Sequence, residues 1–470
     1  MTVAQVNGQL DSVRIEIYGT KEIEAFNDLT ISNDTIFAVG YSTFCSSSDM
    51  MIALYDTSLN LLYKYNIGES YAIESLDAVT SQDDTVYFAG STNNTINQGY
   101  DIVFGTLNRR GEISNSRLLN LDDWVFCEAI SSTIDGGFVG VGKVLTSDSL
   151  WNGLVFKVDK NLTVEWSKSL GGYEDDILHD LVMFDDSTIV VCGETRSSGA
   201  GEKDLWIYSC LLDGSFLWER SIGELNDDWA NSVIKTNDGG LAFYGTTASY
   251  TSTSEDTYLV KTDSAGNFIW SNLHQVQTPD NIYSDNGFDL VQIDNNDFIV
   301  FSVLQSFGVP GVENISMMRT NDAGDWQEDE FFGGPKADVV KRCFSLSDSM
   351  IYFCGSSASY GEGKVDALIG VLPYIPTFKT NYSANLMAGN YYVNIEENSK
   401  FNYSIYPNPF SINLQIQFEE EGVLSAISLI SITGKVVQRF PNNLYTLQVD
   451  ESLSEGSYLL TFKWTNIAYS

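Results

Sequence analysis

The chain has few of the residues on which many catalytic and nucleic-acid-binding sites depend. It contains two histidines in 470 residues, His179 and His274, so a zinc site or a histidine base is a poor hypothesis, and His179 is expected to be structural. Lysine and arginine together number 25 against 63 aspartates and glutamates, which gives a net charge of −38. Such an excess repels nucleic-acid phosphates and anionic membranes. We therefore expect no nucleic-acid partner. The acidic surface is compatible with solubility, with bound cations or with basic partners.

Long apolar segments and paired cysteine motifs are also missing. No run of 18 apolar residues occurs, so we expect no membrane-spanning segment. The first 25 residues lack a basic segment followed by an apolar one, so an exported form is expected to have lost its signal peptide or to be a fragment. The six cysteines show no CxxC spacing. Cys343 and Cys354 are expected to face each other across a hairpin, as free buried thiols rather than a disulfide.

What the sequence does contain is a repeat of about 50 residues. Each unit has four short runs rich in β-branched and aromatic residues, separated by Asn, Asp and Gly turns. A glycine closes the second run and recurs every 50 to 57 residues, with Ser302 at the matching place of one unit. These glycines are Gly40, Gly90, Gly142, Gly193, Gly245 and Gly355. Seven four-stranded units with this period predict the blades of a β-propeller.

The two ends of the repeat region predict how the ring closes. The seventh unit stops after its third strand near Leu372, while a strand-like run at residues 11–19 belongs to no unit. Gly19 precedes Gly40 by 21 residues, which is also the spacing between the equivalent glycines of later units. The sequence therefore predicts an all-β fold with a seven-bladed β-propeller at residues 1–372. The N-terminal strand at 11–19 completes the last blade and removes open sheet edges.

The loops of the repeat predict where function is located. Connections between strands one and two, and between three and four, are tight turns. The remaining connections are longer and variable, and they must emerge on one face of the ring. Entry loops on this face carry carboxylates near the mouth of the central channel. The candidate ligand-binding residues are Asp122, Asp123, Asp175, Asp176, Asp227, Asp228 and Asp338, and no catalytic residue is assigned.

Three hypotheses for these carboxylates stay open. They cap turns and accept hydrogen bonds from nearby backbone, they bind Ca²⁺ as hard oxygen ligands, or they act as a pair in glycoside hydrolysis. The chain has no Asp-x-Asp-x-Asp-Gly calcium loop, and no motif requires a cofactor. Trp166, Trp218 and Trp270 lie 52 residues apart on fourth strands and are expected to pack between blades rather than on a ligand.

After Leu372 the pattern changes. Residues 373–403 are predicted to be a polar linker, and alternating strands with glycine-centred hairpins at 404–470 predict a small C-terminal β-sandwich domain. This tail carries Tyr406, Pro407, Asn408, Pro409 and Phe410, then Gly434 and Lys435, then Gly456 and Tyr458. With these motifs it resembles the type A C-terminal sorting domain of the Bacteroidota type IX (Por) secretion system. The resemblance implies that the type IX machinery is a partner and that the protein is released or attached at the outer cell surface.

The repeats themselves resemble those of secreted bacterial β-propeller repeat proteins, through turns such as Asp238-Gly239-Gly240 and the tryptophans of the fourth strands. We therefore expect a secreted or cell-surface binding or adhesion protein whose variable face contacts a glycan or a surface protein. One alternative is a secreted carbohydrate-active hydrolase or lyase that uses the carboxylates of this face, and another is a purely structural adhesin. The sequence groups no nucleophile, base and orienting residue together, which favours binding.

Overall fold

The computed structural model describes residues 14–373 apart from nine short gaps. The gaps are residues 45–46, 69–73, 94–98, 122–123, 250–254, 275–283, 294–295, 306–311 and 348–349, and beyond residue 373 only strands are described. The chain divides into two compact units, Met1–Tyr374 and Ile375–Ser470.

Within its described residues the first unit contains 28 strands. Strand β1 (Arg14–Tyr18) is followed by blade one: β2 (Glu24–Ser32), β3 (Thr35–Phe44), β4 (Ser47–Asp56), β5 (Leu61–Ile67). Blade two is β6 (Glu74–Gln82), β7 (Thr85–Thr92), β8 (Asp101–Leu107), β9 (Ile113–Leu119), and blade three is β10 (Val125–Ser132), β11 (Phe138–Leu145), β12 (Trp151–Val158), β13 (Val164–Leu170). Blade four is β14 (Asp176–Met183), β15 (Thr188–Thr195), β16 (Asp204–Leu211), β17 (Phe216–Ile222). Blade five is β18 (Asp228–Lys235), β19 (Leu241–Thr247), β20 (Asp256–Thr262), β21 (Phe268–His274), and blade six is β22 (Asp285–Gln292), β23 (Phe298–Leu304), β24 (Asn314–Thr320), β25 (Trp326–Phe332). Blade seven contributes β26 (Asp338–Ser347), β27 (Met350–Ser357) and β28 (Asp366–Pro373).

These strands form a closed ring. Within each of the first six blades, four consecutive strands pair in chain order. The first strand of each blade contacts the first strands of both neighbouring blades, and β2 contacts β26, so the ring has no break. The seventh sheet has the order β1-β28-β27-β26, with Arg14 opposite Val371 and Tyr18 opposite Ala367. The predicted seven-bladed propeller is confirmed, and β1 occupies the outer position of the last blade as the spacing predicts.

A β-bulge interrupts the innermost strand of every blade, three residues after the strand begins. In blade five, Ala230 is opposite Gly245 and Ser232 is opposite Tyr244, which leaves Asn231 without a ladder partner. A Cβ atom on Gly245 would lie 2.0 Å from the carbonyl oxygen of Trp229, so only glycine fits beside the bulge. The recurring glycine of the sequence therefore marks the bulge in each blade where it occurs.

Blade six has a glycine on the inner strand instead, and it relieves a different contact. Ser302 stands where the other blades have the recurring glycine, and its partner across the ladder is Gly287. A Cβ atom on Gly287 would lie 2.4 Å from the carbonyl oxygen of Gly245 in the preceding blade. The inner strand of blade six thus lies close to the second strand of blade five.

The fourth-strand tryptophans pack between blades, as predicted. A Cβ atom on Gly266, at the turn of blade five, would lie 2.4 Å from the indole of Trp218 in blade four. The same contact joins Gly324 to Trp270. Trp166 donates its indole N–H to the carbonyl oxygen of Leu212 at 3.1 Å. Gly266 has φ of +73°, so this turn requires glycine for its backbone as well as for the tryptophan.

The expected arrangement of Cys343 and Cys354 is wrong by one residue. Cys343 lies opposite Phe353, and Cys354 lies opposite Arg342. A register shift between Ser345 and Ser347 adds a residue to one strand. Since a shift of one residue turns a side chain to the other face of the sheet, the two thiols do not face each other. Both are free, as expected.

The second unit contains eight strands within its described residues. They are β29 (Leu386–Ala388), β30 (Tyr391–Glu396), β31 (Tyr403–Tyr406), β32 (Asn413–Phe418), β33 (Leu424–Ser431), β34 (Val436–Phe440), β35 (Thr446–Gln448) and β36 (Gly456–Trp464). Their sheets have the orders β29-β30-β36-β33-β34 and β31-β32-β35. Strands β29 and β30 fall inside the range predicted as a linker, and the β-sandwich at 404–470 stays a prediction.

Part of the predicted sorting motif lies on these strands. Tyr406 ends β31, and Gly456 and Tyr458 belong to β36. Pro407, Asn408, Pro409, Phe410, Gly434 and Lys435 lie outside the described residues. Among the residues that the structure describes, no helix is long and apolar enough to cross a membrane.

Candidate functional site

The seven bulges place one side chain from each blade around the central channel. Because the extra residue of a bulge is not paired in the ladder, its side chain can be directed away from the sheet. All seven line a single cavity of about 640 Å³. In blade order they are Asn27, Asp77, Glu128, His179, Asn231, Phe288 and Lys341. The repeated fold thus presents seven positions on a rigid ring, and the sequence fills them with acidic, basic, amide and aromatic groups.

An ion pair crosses the channel next to this ring. Nη2 of Arg342, the residue after the bulge in blade seven, lies 3.1 Å from Oδ1 of Asp180 in blade four. Blades four and seven stand on opposite sides of a seven-membered ring, so the pair spans the channel. Arg342 also lines the cavity. The inner strands begin at the entry face, and the pair lies one residue further along them than the channel-lining residues. The cavity is therefore a cup that opens towards the entry face and has this pair as its floor.

Three carboxylates of equivalent position surround this arginine. Asp28, Asp180 and Asp289 each accept a hydrogen bond from a backbone N–H of the inner strand of the next blade, at 2.8, 3.0 and 2.7 Å. Burial raises the pKa of Asp28 to about 7, although Arg342 opposes the rise. Burial lowers the pKa of Arg342, but the three carboxylates outweigh it, so the pKa lies above its ordinary value. One guanidinium therefore balances charges contributed by three other blades.

The raised pKa of Asp28 predicts that mild acid stabilises the ring. A carboxyl whose pKa rises from 3.8 to about 7 on folding holds its proton more tightly in the folded state. Its contribution to stability is complete below the unfolded pKa and is lost as the pH rises through the folded value. We expect a higher Tm near pH 5.5 than near pH 8, and a smaller difference between the two in Asp28→Asn.

Thermal unfolding of both proteins at matched ionic strength measures this effect. His274 works in the opposite direction, because burial lowers its pKa. It does so in both proteins, so the change in pH dependence between them isolates Asp28. An identical pH dependence of Tm in the two proteins would show that Asp28 does not titrate as described.

An aromatic wall stands on the side of the cup formed by blades two and three. We use this name for Tyr100, Trp124, Phe126 and Trp151. The Tyr100 ring centroid lies 5.5 Å from that of Trp124 and 4.8 Å from that of Phe126, and Phe126 lies 5.8 Å from Trp151. Tyr100, Trp124 and Phe126 line the cavity. Trp124 is 44% exposed and directly precedes β10, so its indole is accessible at the entry face.

Two carboxylates lie on the same side as the aromatic wall. Asp77 accepts hydrogen bonds from the hydroxyls of Ser75 and Ser91, at 2.7 and 2.6 Å, and a longer one from the amide of Asn27. Burial raises its pKa to about 6, and the two hydroxyls limit the rise. Glu128, on the bulge of the next blade, is 3.2 Å from the ammonium of Lys143. Acidic groups thus line the ring at blades two and three, and Lys341 enters it from blade seven.

The wall formed by blade four carries His179. Its Nε2 is 3.7 Å from Oε2 of Glu194, and the ammonium of Lys203 is 2.9 Å from the same oxygen. Burial would raise the pKa of Glu194, but His179 and Lys203 lower it to about 2. Lys203 also lies 4.5 Å above the centre of the Trp229 ring. His179 is therefore a channel-lining group beside an ionised carboxylate rather than part of the apolar core.

Three of the carboxylates predicted from sequence are buried at the starts of the inner strands. Asp176, Asp228 and Asp338 are 0%, 0% and 1% exposed. Asp176 accepts hydrogen bonds from the backbone N–H of Gly172 at 2.8 Å and the hydroxyl of Ser197 at 2.7 Å. Asp228 and Asp338 also accept a hydrogen bond from a backbone N–H of the loop before them. Asp228 accepts a further one from the hydroxyl of Ser249, just after the second strand, and Asp338 from that of Ser357, the last residue of the second strand. They fasten the entry loops to the blades.

The other predicted carboxylates have different surroundings. Half-buried Asp175 accepts a hydrogen bond from the backbone N–H of Trp151 at 2.8 Å, and half-buried Asp227 lies 3.5 Å from the guanidinium of Arg196. Asp122 and Asp123 lie outside the described residues. Among the residues that the structure describes, no group of three or more His, Cys, Asp or Glu side chains is placed to hold a metal ion. Calcium binding at this face stays a prediction.

Sequence reasoning did not single out Asp77 or Glu128, although a signal for them exists. In an uninterrupted strand, side chains on the same face are two residues apart. In blade four, however, the buried side chains of Leu178 and Leu181 are three residues apart. The same change of phase separates Leu76 from Val79 around Asp77. A three-residue spacing of buried side chains on the inner strand, opposite the recurring glycine, therefore identifies the channel-lining residue in the sequence.

The C-terminal region matches a known family. Residues 404–470 match the secretion system C-terminal sorting domain of the Por type. The chain thus carries a sorting tail that the type IX secretion machinery handles, which indicates export to the cell surface or the surrounding medium. No curated protein matches the chain.

Solved structures resemble the chain at low sequence identity. Sqt1 from Chaetomium thermophilum has a TM-score of 0.43 and 11% identity, over 86% of this chain and 97% of that one. The β-propeller domain of the Trilobed protease from Pyrococcus furiosus has a TM-score of 0.41 and 13% identity, over 72% of this chain and 92% of that one. The periplasmic gluconolactonase PpgL of Pseudomonas aeruginosa has a TM-score of 0.45 and 10% identity, over 72% of this chain and 98% of that one. Similarity at this level says nothing about the activity of this chain.

Proposed function

We propose that this protein is an exported carbohydrate-binding protein whose site is the cup in the propeller channel. The observation that carries the proposal is the accessible indole of Trp124 at the edge of a cavity lined by polar groups. The C–H faces of a sugar ring pack on aromatic side chains, and its hydroxyls exchange hydrogen bonds with amides and carboxylates. Small-molecule sites combine an aromatic lining with a few oriented polar groups in this manner.

The polar groups of the cup suit hydroxyl ligands. Asn27 and Asn231 offer amides that both donate and accept, while Asp77 and Glu128 accept. The volume of about 640 Å³ lies within the range of about 300–1,000 Å³ that small-molecule sites occupy. The seven inner strands and the Arg342–Asp180 pair hold these groups on a rigid frame, so little conformational entropy is lost when a ligand binds.

One observation supports a second candidate, a secreted glycoside hydrolase or lyase. Asp77 has a pKa of about 6, which suits a general acid, and Glu128 occupies the bulge of the adjacent blade. Both oxygens of Asp77 already accept hydrogen bonds from serine hydroxyls, however, and this arrangement suits a fixed acceptor better than a proton donor. Chromatography of each bound glycan after prolonged incubation separates the two functions, because only the enzyme shortens it.

The variant Trp124→Ala tests the proposed site. We expect a glycan array probed with the full chain, once in calcium and once in chelator, to identify a bound class. The affinity of Trp124→Ala for that class should fall about tenfold or more, equivalent to about 1.4 kcal/mol. Isothermal titration calorimetry with the best glycan gives the value. Calcium dependence would add support for the predicted calcium site at the entry face.

The matched control is Trp326→Ala. Trp326 is 48% exposed, similar to Trp124, but it begins the outer strand β25 and does not line the cavity. Its substitution should leave the affinity unchanged. Equal affinities of the Trp124→Ala variant and the unsubstituted protein would overturn the assignment of the site.

A further inference from the structure

We infer that the sugar bound in the cup carries a protonated amine, which is seated against Asp77 and the aromatic wall. This inference rests on the proposed function and narrows its ligand to amino sugars with a free ammonium group. Its starting point is the charge state of the blade-two side of the cavity. Among the described residues Asp77 forms no ion pair, and its partners are two hydroxyls and an amide.

The neighbouring bulge shows how this channel holds an ammonium. Nζ of Lys143 lies 3.2 Å from a carboxylate oxygen of Glu128. It also lies 5.6 and 5.7 Å from the ring centres of Phe126 and Trp151, within the distance at which an aromatic face attracts a cation. One end of the aromatic wall is therefore already a carboxylate-and-ring site occupied by the protein's own lysine.

The same combination recurs between blades four and five. The ammonium of Lys203 is 2.9 Å from Glu194 and 4.5 Å from the ring centre of Trp229. The other end of the aromatic wall offers the accessible rings of Tyr100 and Trp124, in the same cavity as Asp77. Here the carboxylate and the rings are present, and among the described residues no lysine lies within ion-pair distance of Asp77. In this third place the ammonium group of the ligand binds between the carboxylate and the rings.

The overall charge acts in the same direction. The chain carries −38, and of this only six acidic and three basic residues lie in 404–470, so the propeller is strongly acidic. A cavity in such a body concentrates cations and repels carboxylated or sulfated sugars. Lys341 faces the cavity from blade seven, two blades away from Asp77, and lies 4.9 Å above the ring of Phe288 in blade six. Acetylation of the sugar amine would remove the charge that Asp77 binds.

The test compares four probes by isothermal titration calorimetry at neutral pH with the full chain. They are a β-1,4-linked glucosamine oligomer, its fully N-acetylated counterpart, a cello-oligosaccharide of equal length, and a simple diamine. We expect the glucosamine oligomer to bind at least tenfold more tightly than each of the other three. In Asp77→Asn that preference should largely disappear, because the affinity for the glucosamine oligomer should fall to about that for the cello-oligosaccharide.

Each outcome bears on a different claim. Equal binding of the glucosamine and cello-oligosaccharide probes would overturn the amine inference and leave the carbohydrate site standing. Failure of all three sugars would overturn the proposed function as well, and binding of the diamine alone would identify a cation site that does not recognise sugars. Retention of the preference in Asp77→Asn would assign the selectivity to another group. Glu202→Gln, an exposed carboxylate outside the cavity lining, is the control for the general effect of lost negative charge.

Discussion

Removing residues 404–470 is expected to abolish delivery of the protein to the cell surface and the medium in a host that has type IX secretion. This segment matches the secretion system C-terminal sorting domain, and the propeller forms a compact unit of its own that ends at Tyr374. Loss of the tail therefore removes the export signal without removing any strand of the ring. The truncated protein should accumulate folded in the periplasm. Immunoblots of periplasmic, surface and medium fractions, with a periplasmic marker as reference, measure the result.

The complementary experiment places residues 404–470 behind an unrelated periplasmic reporter. The reporter should then leave the cell, because the tail carries the sorting information. Normal surface delivery of the truncated protein would contradict the export account. A truncated protein that is degraded in the periplasm would be distinguished by its absence from every fraction, and protease protection of the purified ring then shows whether it is folded.

Replacing Arg342 with methionine is expected to destabilise the propeller by about 3–5 kcal/mol, the cost of leaving buried charges without their partner. Its guanidinium is the cation that Asp28, Asp180 and Asp289 share, and its side chain is 15% exposed. Methionine keeps the unbranched stem of the side chain and removes the charged head, so the loss reports mainly electrostatics. The shift in the midpoint of urea unfolding at about pH 7.5 measures it.

Two further variants separate this effect from a general loss of stability. Arg109 pairs with Asp84, and the two side chains are 77% and 57% exposed. Arg109→Met should therefore lower the free energy of unfolding by less than about 1 kcal/mol. Arg342→Met in an Asp28→Asn, Asp180→Asn background should cost less than in the natural protein, because two of the three carboxylates no longer need a countercharge. Equal losses for Arg342→Met in the two backgrounds would show that Arg342 contributes through packing alone.

The propeller was predictable because its packing repeats in the sequence. The glycine at each bulge is required by a backbone contact of about 2 Å, as at Gly245, so its spacing records the blades directly. The tryptophans repeat for the same reason, since each packs on a turn glycine of the next blade. Blade six is the exception, where Ser302 takes the place of this glycine and has Gly287 as its ladder partner.

The site was less accessible to sequence reasoning because its residues do not repeat. The predicted aspartates, such as Asp176, recur at the starts of the inner strands because the fold needs them there, to accept hydrogen bonds from the entry loops. The residue three positions later faces the channel, where the fold imposes no side chain, and it varies from Asp77 to Phe288. Repetition thus marks structural positions, and variation at a repeated position marks the candidate site.

The measurement that tests the central claim most directly is an experimental structure of the full chain with the oligosaccharide that binds best. The account predicts a sugar ring stacked on Trp124 inside the cup, with its polar groups within hydrogen-bonding distance of Asp77 or Glu128. A sugar bound at the outer strands or on the opposite face of the ring, with the cup occupied only by water, would contradict the account.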